Sequence, residues 1–345
     1  MTRNVKPGRH RRRRVRLAWA GAAGYNPGVE SSRNPTGNRR TLLSWLAIPL
    51  VAVLALGLLT GASCKKESTA TTDPKDVVAA ADAAKAGPVD RTPLPGIDVG
   101  ALPAAKQDTF FRLVGQLPSP CGKAHSLRTS VTSDQTCKRA PFAARLVAEL
   151  LADEQDASTV LELYTARYVR NAAVQTIDVA QAPMSGDPKA PVVLVEYFDY
   201  GCPSCMAIKP VLDQVVRENP GKVKLYYKMY PLIGKHPDSK GAAQAALAAH
   251  AQGKFHAMHD VIFERIGAQK KDDLRGYAQA LGLDLARYDA DFAAAEARVD
   301  ADRKEGDANG VEGTPTLFLN GRRYPGPTDP KYFAAAIEEE LAVRR

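Results

Sequence analysis

Cys202-Pro203-Ser204-Cys205 follows the β-branched, apolar run of residues 192–198 and precedes a helical pattern, with Gly313-Thr314-Pro315-Thr316 about 110 residues further on. Two thiols with this spacing are suited to reversible thiol–disulfide exchange. Cys202 falls at a helix N-terminus, where unpaired amides and the helix dipole favour its thiolate. Pro203 falls in the first turn, where its missing N–H costs nothing. Cys205 follows one turn later on the same face, within reach of Cys202 for a small disulfide ring. A C-x-x-C can also bind metal or form a structural bridge, but a four-thiolate zinc site needs two close pairs, and the other candidates, Cys121 and Cys137, are 16 apart. His256 and His259 have helical ligand spacing, with only Asp260 and Glu264 nearby. Together with His250 they are read as packing or surface residues. No metal and no cofactor is expected.

The elements that must position these residues are well marked. Residues 192–198 and 223–230 read as strands, 203–218 as a helix between them, and 239–304 as an Ala-rich helical region interrupted at Gly253, Gly267 and Gly282. Residues 316–319 and 322–324 form a hairpin about Asn320-Gly321, and 331–341 a closing helix. Residues 181–190, with Pro183, Gly186, Asp187 and Pro188, read as turns. Glu338-Glu339-Glu340 reads as a solvated helix face, and Arg344-Arg345 as a last turn favoured by the dipole.

Upstream, the chain divides by composition. Residues 1–40 hold 11 of the 47 Lys and Arg and one acid, so the net charge of +9 belongs to this arm and the other 305 residues are nearly neutral. The arm's run of residues 10–16 lacks an apolar face and reads as a disordered basic arm or a mis-assigned translation start, and no basic surface elsewhere suggests nucleic-acid binding. Residues 41–63 are uncharged and rich in Leu, Ala and Val, an export signal or a membrane anchor. They end in Gly61-Ala62-Ser63 before Cys64, which resembles a bacterial lipoprotein signal, with Gly61 where that family usually has Leu. Lipidation at Cys64, an uncleaved anchor and simple cleavage all deliver the chain to the cell envelope, facing the periplasm. Residues 64–95 form a polar tether, and 96–180 a small helical accessory module with a loop at 118–137. In an oxidising compartment Cys121 and Cys137 are candidates for a structural disulfide, worth ~3 kcal/mol in the chain-entropy picture. That leaves Cys202 and Cys205 free for redox work.

The order β-α-β, helical insert, β-β-α, with C-x-x-C after the first strand and Thr-Pro before the third, resembles the thioredoxin fold. The insert makes residues 181–345 similar to the DsbA-type branch of that superfamily. The resemblance implies an α/β, thioredoxin-like fold with a helical insertion between the second and third core strands. It implies Cys202 as the solvent-facing nucleophile, Cys205 as the buried resolving thiol, and a cis-proline at Pro315 beside them, where exposed backbone can pair with an extended substrate. Glu196, six residues before Cys202, matches an acidic residue beneath the family's site and would take up the Cys205 proton. Pro203, Ser204 and Thr314 would tune the pair. Ser204 can offer a hydroxyl to the Cys202 thiolate, but not the imidazolium that the best-known members supply at this place. The implied activity is disulfide exchange with exported proteins bearing cysteine thiols or disulfides, in the oxidase direction, reset by a membrane or soluble redox partner. The alternatives are a reductase serving cytochrome c maturation and a redox-inactive peptide-binding module.

Overall fold

A computed structural model of the chain describes residues 88–344. The basic arm, the 41–63 segment, Cys64 and the tether up to residue 87 lie outside the described residues. Among the described residues no helix is long and apolar enough to cross a membrane.

Five strands, β1 (Met184–Gly186), β2 (Val192–Phe198), β3 (Val223–Met229), β4 (Thr316–Leu319) and β5 (Arg322–Arg323), form one sheet in the order β1-β3-β2-β4-β5. β2 and β3 are parallel in the register Glu196 to Tyr227, whereas β4 runs antiparallel to β2 with Leu317 opposite Glu196. Central β2 is covered on both faces, which is why it reads as a continuous apolar run rather than an alternation. Leu194 and Phe198 enter the main core, and Val195 and Tyr197 join Tyr230, Val311 and Phe318 in a second cluster. The period of two therefore places Glu196 on the Leu194–Phe198 face. The β4–β5 hairpin turns at Asn320 and Gly321, with φ of 49° and 79°, as a tight turn between right-twisted strands requires.

The helix that crosses from β2 to β3, Pro203–Glu218, buries Cys205, Ile208, Leu212 and Val215, a three-four spacing that makes one apolar stripe. The insertion comprises Ser239–Ala251, Phe255–Glu264, Lys271–Ala280 and Leu285–Ala308. Ser239–Ala251 buries mostly alanines, so its neighbours can approach closely. Residues 181–190, read as turns, contain the short edge strand β1; three residues are too few to show a period, and pairing with β3 is what makes them a strand.

Ahead of the sheet lie α1 (Ala104–Gln116), α2 (Leu127–Thr132), α3 (Ala140–Ala152) and α4 (Ala157–Thr165), the last continued by a π-helical turn, Ala166–Arg170. α2 interrupts the expected 118–137 loop. It starts because the Ser126 hydroxyl accepts the Thr129 N–H, a cap on a helix too short for an apolar period. In chain order the remaining helices are α5 (Pro203–Glu218), α6 (Ser239–Ala251), α7 (Phe255–Glu264), α8 (Lys271–Ala280), α9 (Leu285–Ala308) and α10 (Pro330–Arg344).

α10 serves two cores. Its Phe333, Ala336 and Ile337 join the main core, while Tyr332 joins the cluster of Phe110, Val114, Leu127, Val147 and Tyr164 built by α1 to α4. The acidic run on this helix corrects the expectation of a solvated face. Glu338 is exposed and meets Lys222 at 2.5 Å, but Glu339 and Glu340 are 1% and 6% exposed. Arg139 lies 2.6 Å from Glu339 and 2.7 Å from Glu340, and Arg167 lies 2.5 Å from Glu339, which also accepts from the Tyr168 hydroxyl. Cations some 200 positions away reverse what the local pattern suggests.

Candidate active site

β2 ends in the turn Asp199-Tyr200-Gly201, and α5 begins with Cys202 as its N-cap and Pro203 in its first turn. The Cys202 N–H closes the turn on the Asp199 carbonyl at 3.1 Å. An N-cap side chain faces the amides two and three positions on, here those of Ser204 and Cys205. The Cys202 thiol makes no capping hydrogen bond; Sγ donates to the Thr314 carbonyl at 3.3 Å. Burial is the largest influence on this thiol and would raise its pKa. The Thr314 hydroxyl and the Cys205 and Ser204 amides outweigh it, and the net displacement is downward. In the thiol form the Thr314 Oγ1 is buried with no hydrogen-bond partner, so ionisation at Cys202 supplies the acceptor it lacks.

Cys205 is displaced the other way. It is fully buried where Cys202 keeps 7% of its surface, and desolvation, reinforced by the Glu196 charge, pushes its thiol far above the ordinary cysteine value. Glu196 is 3% exposed on the core face of β2. Burial and the neighbouring Asp213, opposed by Lys209, push its carboxyl up to about 8. Lys209 itself bridges Asp213 at 2.8 Å and Asp260 at 2.7 Å. The site thus pairs one thiol made easy to ionise with one made hard, above a carboxyl that can hold a proton near neutral pH.

The structure brings Cys202, Cys205, Thr314, Pro315 and Glu196 together, and the Thr314-Pro315 peptide is cis. Ser204 is placed differently from the expectation. Its side chain faces solvent, and its contribution to Cys202 is the backbone N–H, because the second residue of a helix points its amide back at the cap. Cys121 and Cys137 are bonded to each other in the helical segment, with Cα atoms 5.8 Å apart. His256 Nε2 lies 3.1 Å from the Met184 carbonyl oxygen, and His259 is buried with Nδ1 2.9 Å from the Tyr200 hydroxyl. Desolvation holds His259 well below the ordinary histidine value, as a neutral ring.

Two supporting residues escape the sequence reading. Asp199, 1% exposed, accepts the Gly201 N–H at 2.6 Å through Oδ1, and through Oδ2 the Leu232 N–H at 2.7 Å and His236 Nδ1 at 2.8 Å. The His236 side chain packs on Gly201 so closely that a Cβ there would lie 2.5 Å from the His236 Cβ. The residue before Cys202 must therefore be glycine, and the loop carrying the thiol is clamped from behind. Asp199, sitting unexplained between an apolar strand and the C-x-x-C, was the available signal; nothing local pointed to His236.

The thioredoxin family's sequence model matches residues 178–339. Among curated proteins, Na(+)/H(+) antiporter NhaA 1 of Mycobacterium sp. (strain KMS) is 37% identical over 170 residues, 48% of this chain and 28% of that protein. The protein of the same name from Salinispora arenicola is 34% identical over 171 residues, 49% of this chain and 26% of that protein. The chain spans about a quarter of the length of these relatives. Among solved structures, a thioredoxin-like oxidoreductase from Silicibacter pomeroyi is 29% identical, with a TM-score of 0.43, covering 47% of this chain and 93% of that one. The thiol-disulfide exchange protein alpha-DsbA2 from Wolbachia pipientis is 25% identical, with a TM-score of 0.42, covering 46% and 87%. With β2-α5-β3, the α6 to α9 insertion and the β4–β5 hairpin in place around Cys202 and Cys205, residues 178–339 match the thioredoxin family and have a thioredoxin-like fold.

Proposed function

We propose that this chain is a thiol-disulfide oxidoreductase of the bacterial cell envelope, held at the membrane through its N-terminal region and exchanging disulfides with exported proteins. The observation that carries the reading is the opposite displacement of the two thiols, Cys202 downward and Cys205 upward, at one helix N-terminus. In the oxidase direction a substrate thiolate attacks the Cys202 sulfur of the Cys202–Cys205 disulfide, and Cys205 leaves with the electron pair and takes a proton, for which Glu196 is the nearest buried store. A second substrate thiolate then attacks the substrate sulfur of the mixed disulfide, and Cys202 departs as a stabilised thiolate. Exposed Met206 on α5 and Ile233, beside the Leu232 held by Asp199, offer apolar surface to an unfolded chain.

The reductase reading draws on one feature. The main influences lowering Cys202 are hydrogen bonds rather than a neighbouring cation, which limits how strongly oxidising the pair becomes. Equilibration of the Cys202–Cys205 pair with glutathione buffers decides between the two. A potential near about −120 mV supports the oxidase, and one near about −270 mV overturns it in favour of the reductase. Mass spectrometry of the mature N-terminus tests attachment at Cys64.

A further inference from the structure

We propose that the Cys121–Cys137 disulfide is a second exchange site, reached through its own cavity and taking small thiols that carry negative charge. The two sulfurs differ in access: Cys121 is exposed, whereas Cys137 is 3% exposed. Cys121 forms part of the wall of a cavity of about 1150 Å³ between the helical segment and the β5 end of the sheet. That volume is of the order that admits a small molecule. The basic side chains on its wall are Lys123, His125, Lys138, Arg139 and Arg322, with no carboxylate among the lining residues.

Three of these five are already engaged. Arg139 is neutralised by Glu339 and Glu340, Arg322 donates to the Ala172 carbonyl, and His125 is fixed with Nε2 3.3 Å from Asp134 and Nδ1 3.2 Å from the Ser130 hydroxyl. Lys123 and Lys138 are exposed and make no ion pair among the described residues, and the carbonyl that Arg322 bonds does not cancel its charge, so these three leave the wall net positive to a molecule approaching Cys121. Cys137 stands just ahead of α3, a 13-residue helix whose N-terminal end favours negative charge on a departing sulfur. A disulfide that only braced the fold would need neither the cavity nor the uncompensated lysines.

The step is balanced by the thiol itself. A thiolate attacks the Cys121 sulfur, the Cys121–Cys137 bond breaks, and Cys137 leaves with the electron pair and is protonated by solvent. A second thiolate then attacks the small-molecule sulfur of the mixed disulfide and releases Cys121. Two thiols are oxidised to one disulfide, and Cys121 and Cys137 are reduced.

The test uses the full chain carrying Cys202→Ser and Cys205→Ser, so its outcome is independent of the activity proposed above. Opening of the remaining disulfide is followed in native buffer with reduced glutathione, which is anionic, and with cysteamine, which is cationic, each rate expressed per thiolate. We expect glutathione to be roughly tenfold faster at low salt, with the preference shrinking toward parity at high salt and in a Lys123→Glu, Lys138→Glu variant. Peptide mapping of the quenched reaction should find glutathione on Cys121. Equal rates for the two thiols at low salt, opening only at the rate of global unfolding, or attachment at Cys137 overturns the proposal. Should the charge-reversed variant fail to fold, the salt series on the unaltered lysines decides alone.

Discussion

Replacing Glu196 by glutamine should stabilise the reduced protein, and more so as the pH rises. A carboxyl whose ordinary value is 4.5 but which titrates at about 8 when folded weighs increasingly against the folded state as pH rises between those two values, and its full cost is reached above the second. The sign follows directly. Below pH 4.5 both states are protonated and nothing is lost; between 4.5 and about 8 the unfolded state gains by ionising, and stability falls; above about 8 the loss is complete. At about 1.4 kcal/mol per pH unit, the full cost is of the order of 5 kcal/mol, and about 3 kcal/mol is already present at pH 7. A buried amide keeps the shape but needs hydrogen-bond partners of its own, which offsets part of the gain, so about 2 kcal/mol is the expected advantage of the variant at pH 7. The assay is urea unfolding of the reduced proteins at pH 5 and pH 8, read as the difference between the unaltered chain and its Glu196→Gln variant so that every other titrating group, Cys202 included, cancels. An advantage that does not grow between pH 5 and pH 8 refutes the reasoning, because Glu196 would then ionise as an ordinary carboxyl despite its burial.

Other consequences can be measured as directly. Thr314→Val removes the hydroxyl that waits for the thiolate and should raise the Cys202 pKa by roughly one unit, read from the pH dependence of thiolate ultraviolet absorbance. Gly201→Ala forces a Cβ into His236 and should cost about 1–3 kcal/mol in denaturant titrations while slowing alkylation of Cys202 through a displaced loop. Cys205→Ser should accumulate a mixed disulfide with a reactive protein substrate on Cys202, visible on non-reducing gels, and Cys202→Ser should not. Glu339→Gln leaves two buried guanidinium groups short of a partner and should destabilise the chain by about 3–5 kcal/mol, measured by thermal or urea unfolding.

The C-x-x-C pair and the frame around it were legible because each part carries a local signature. The β-branched strands, the three-four stripe of α5 and the Asn-Gly hairpin all declare themselves within ten residues or so. What stayed hidden is what depends on distant partners. β1 is a strand only because β3 lies beside it, and α2 is a helix largely because Ser126 caps it. Glu339 and Glu340 looked solvated until Arg139 and Arg167 came to meet them across some 170 to 200 positions. The clamp on Cys202 joins Asp199 to a histidine 37 residues later, and no periodicity spans that gap. Ser204 shows the limit within a motif: the sequence suggests a hydroxyl donor, but its backbone N–H is what faces Cys202, and that depends on the direction of the helix.

The C-terminal helix, shared between two cores, also bears on the order in which the chain can be finished. During synthesis the segment with Cys121 and Cys137 emerges well before residues 330–344, yet Tyr332, Glu339 and Glu340 complete its packing and neutralise its arginines. Until that last helix arrives, Arg139 and Arg167 have no anionic partner there, and the apolar face opposite Tyr332 stays open. Chains lacking residues 330–344 would carry both cysteine pairs but leave this seam unsealed, a recognisable mark for proteases. Residues 330–344 thus close a packing seam more than a hundred residues after Cys202 and Cys205 are made.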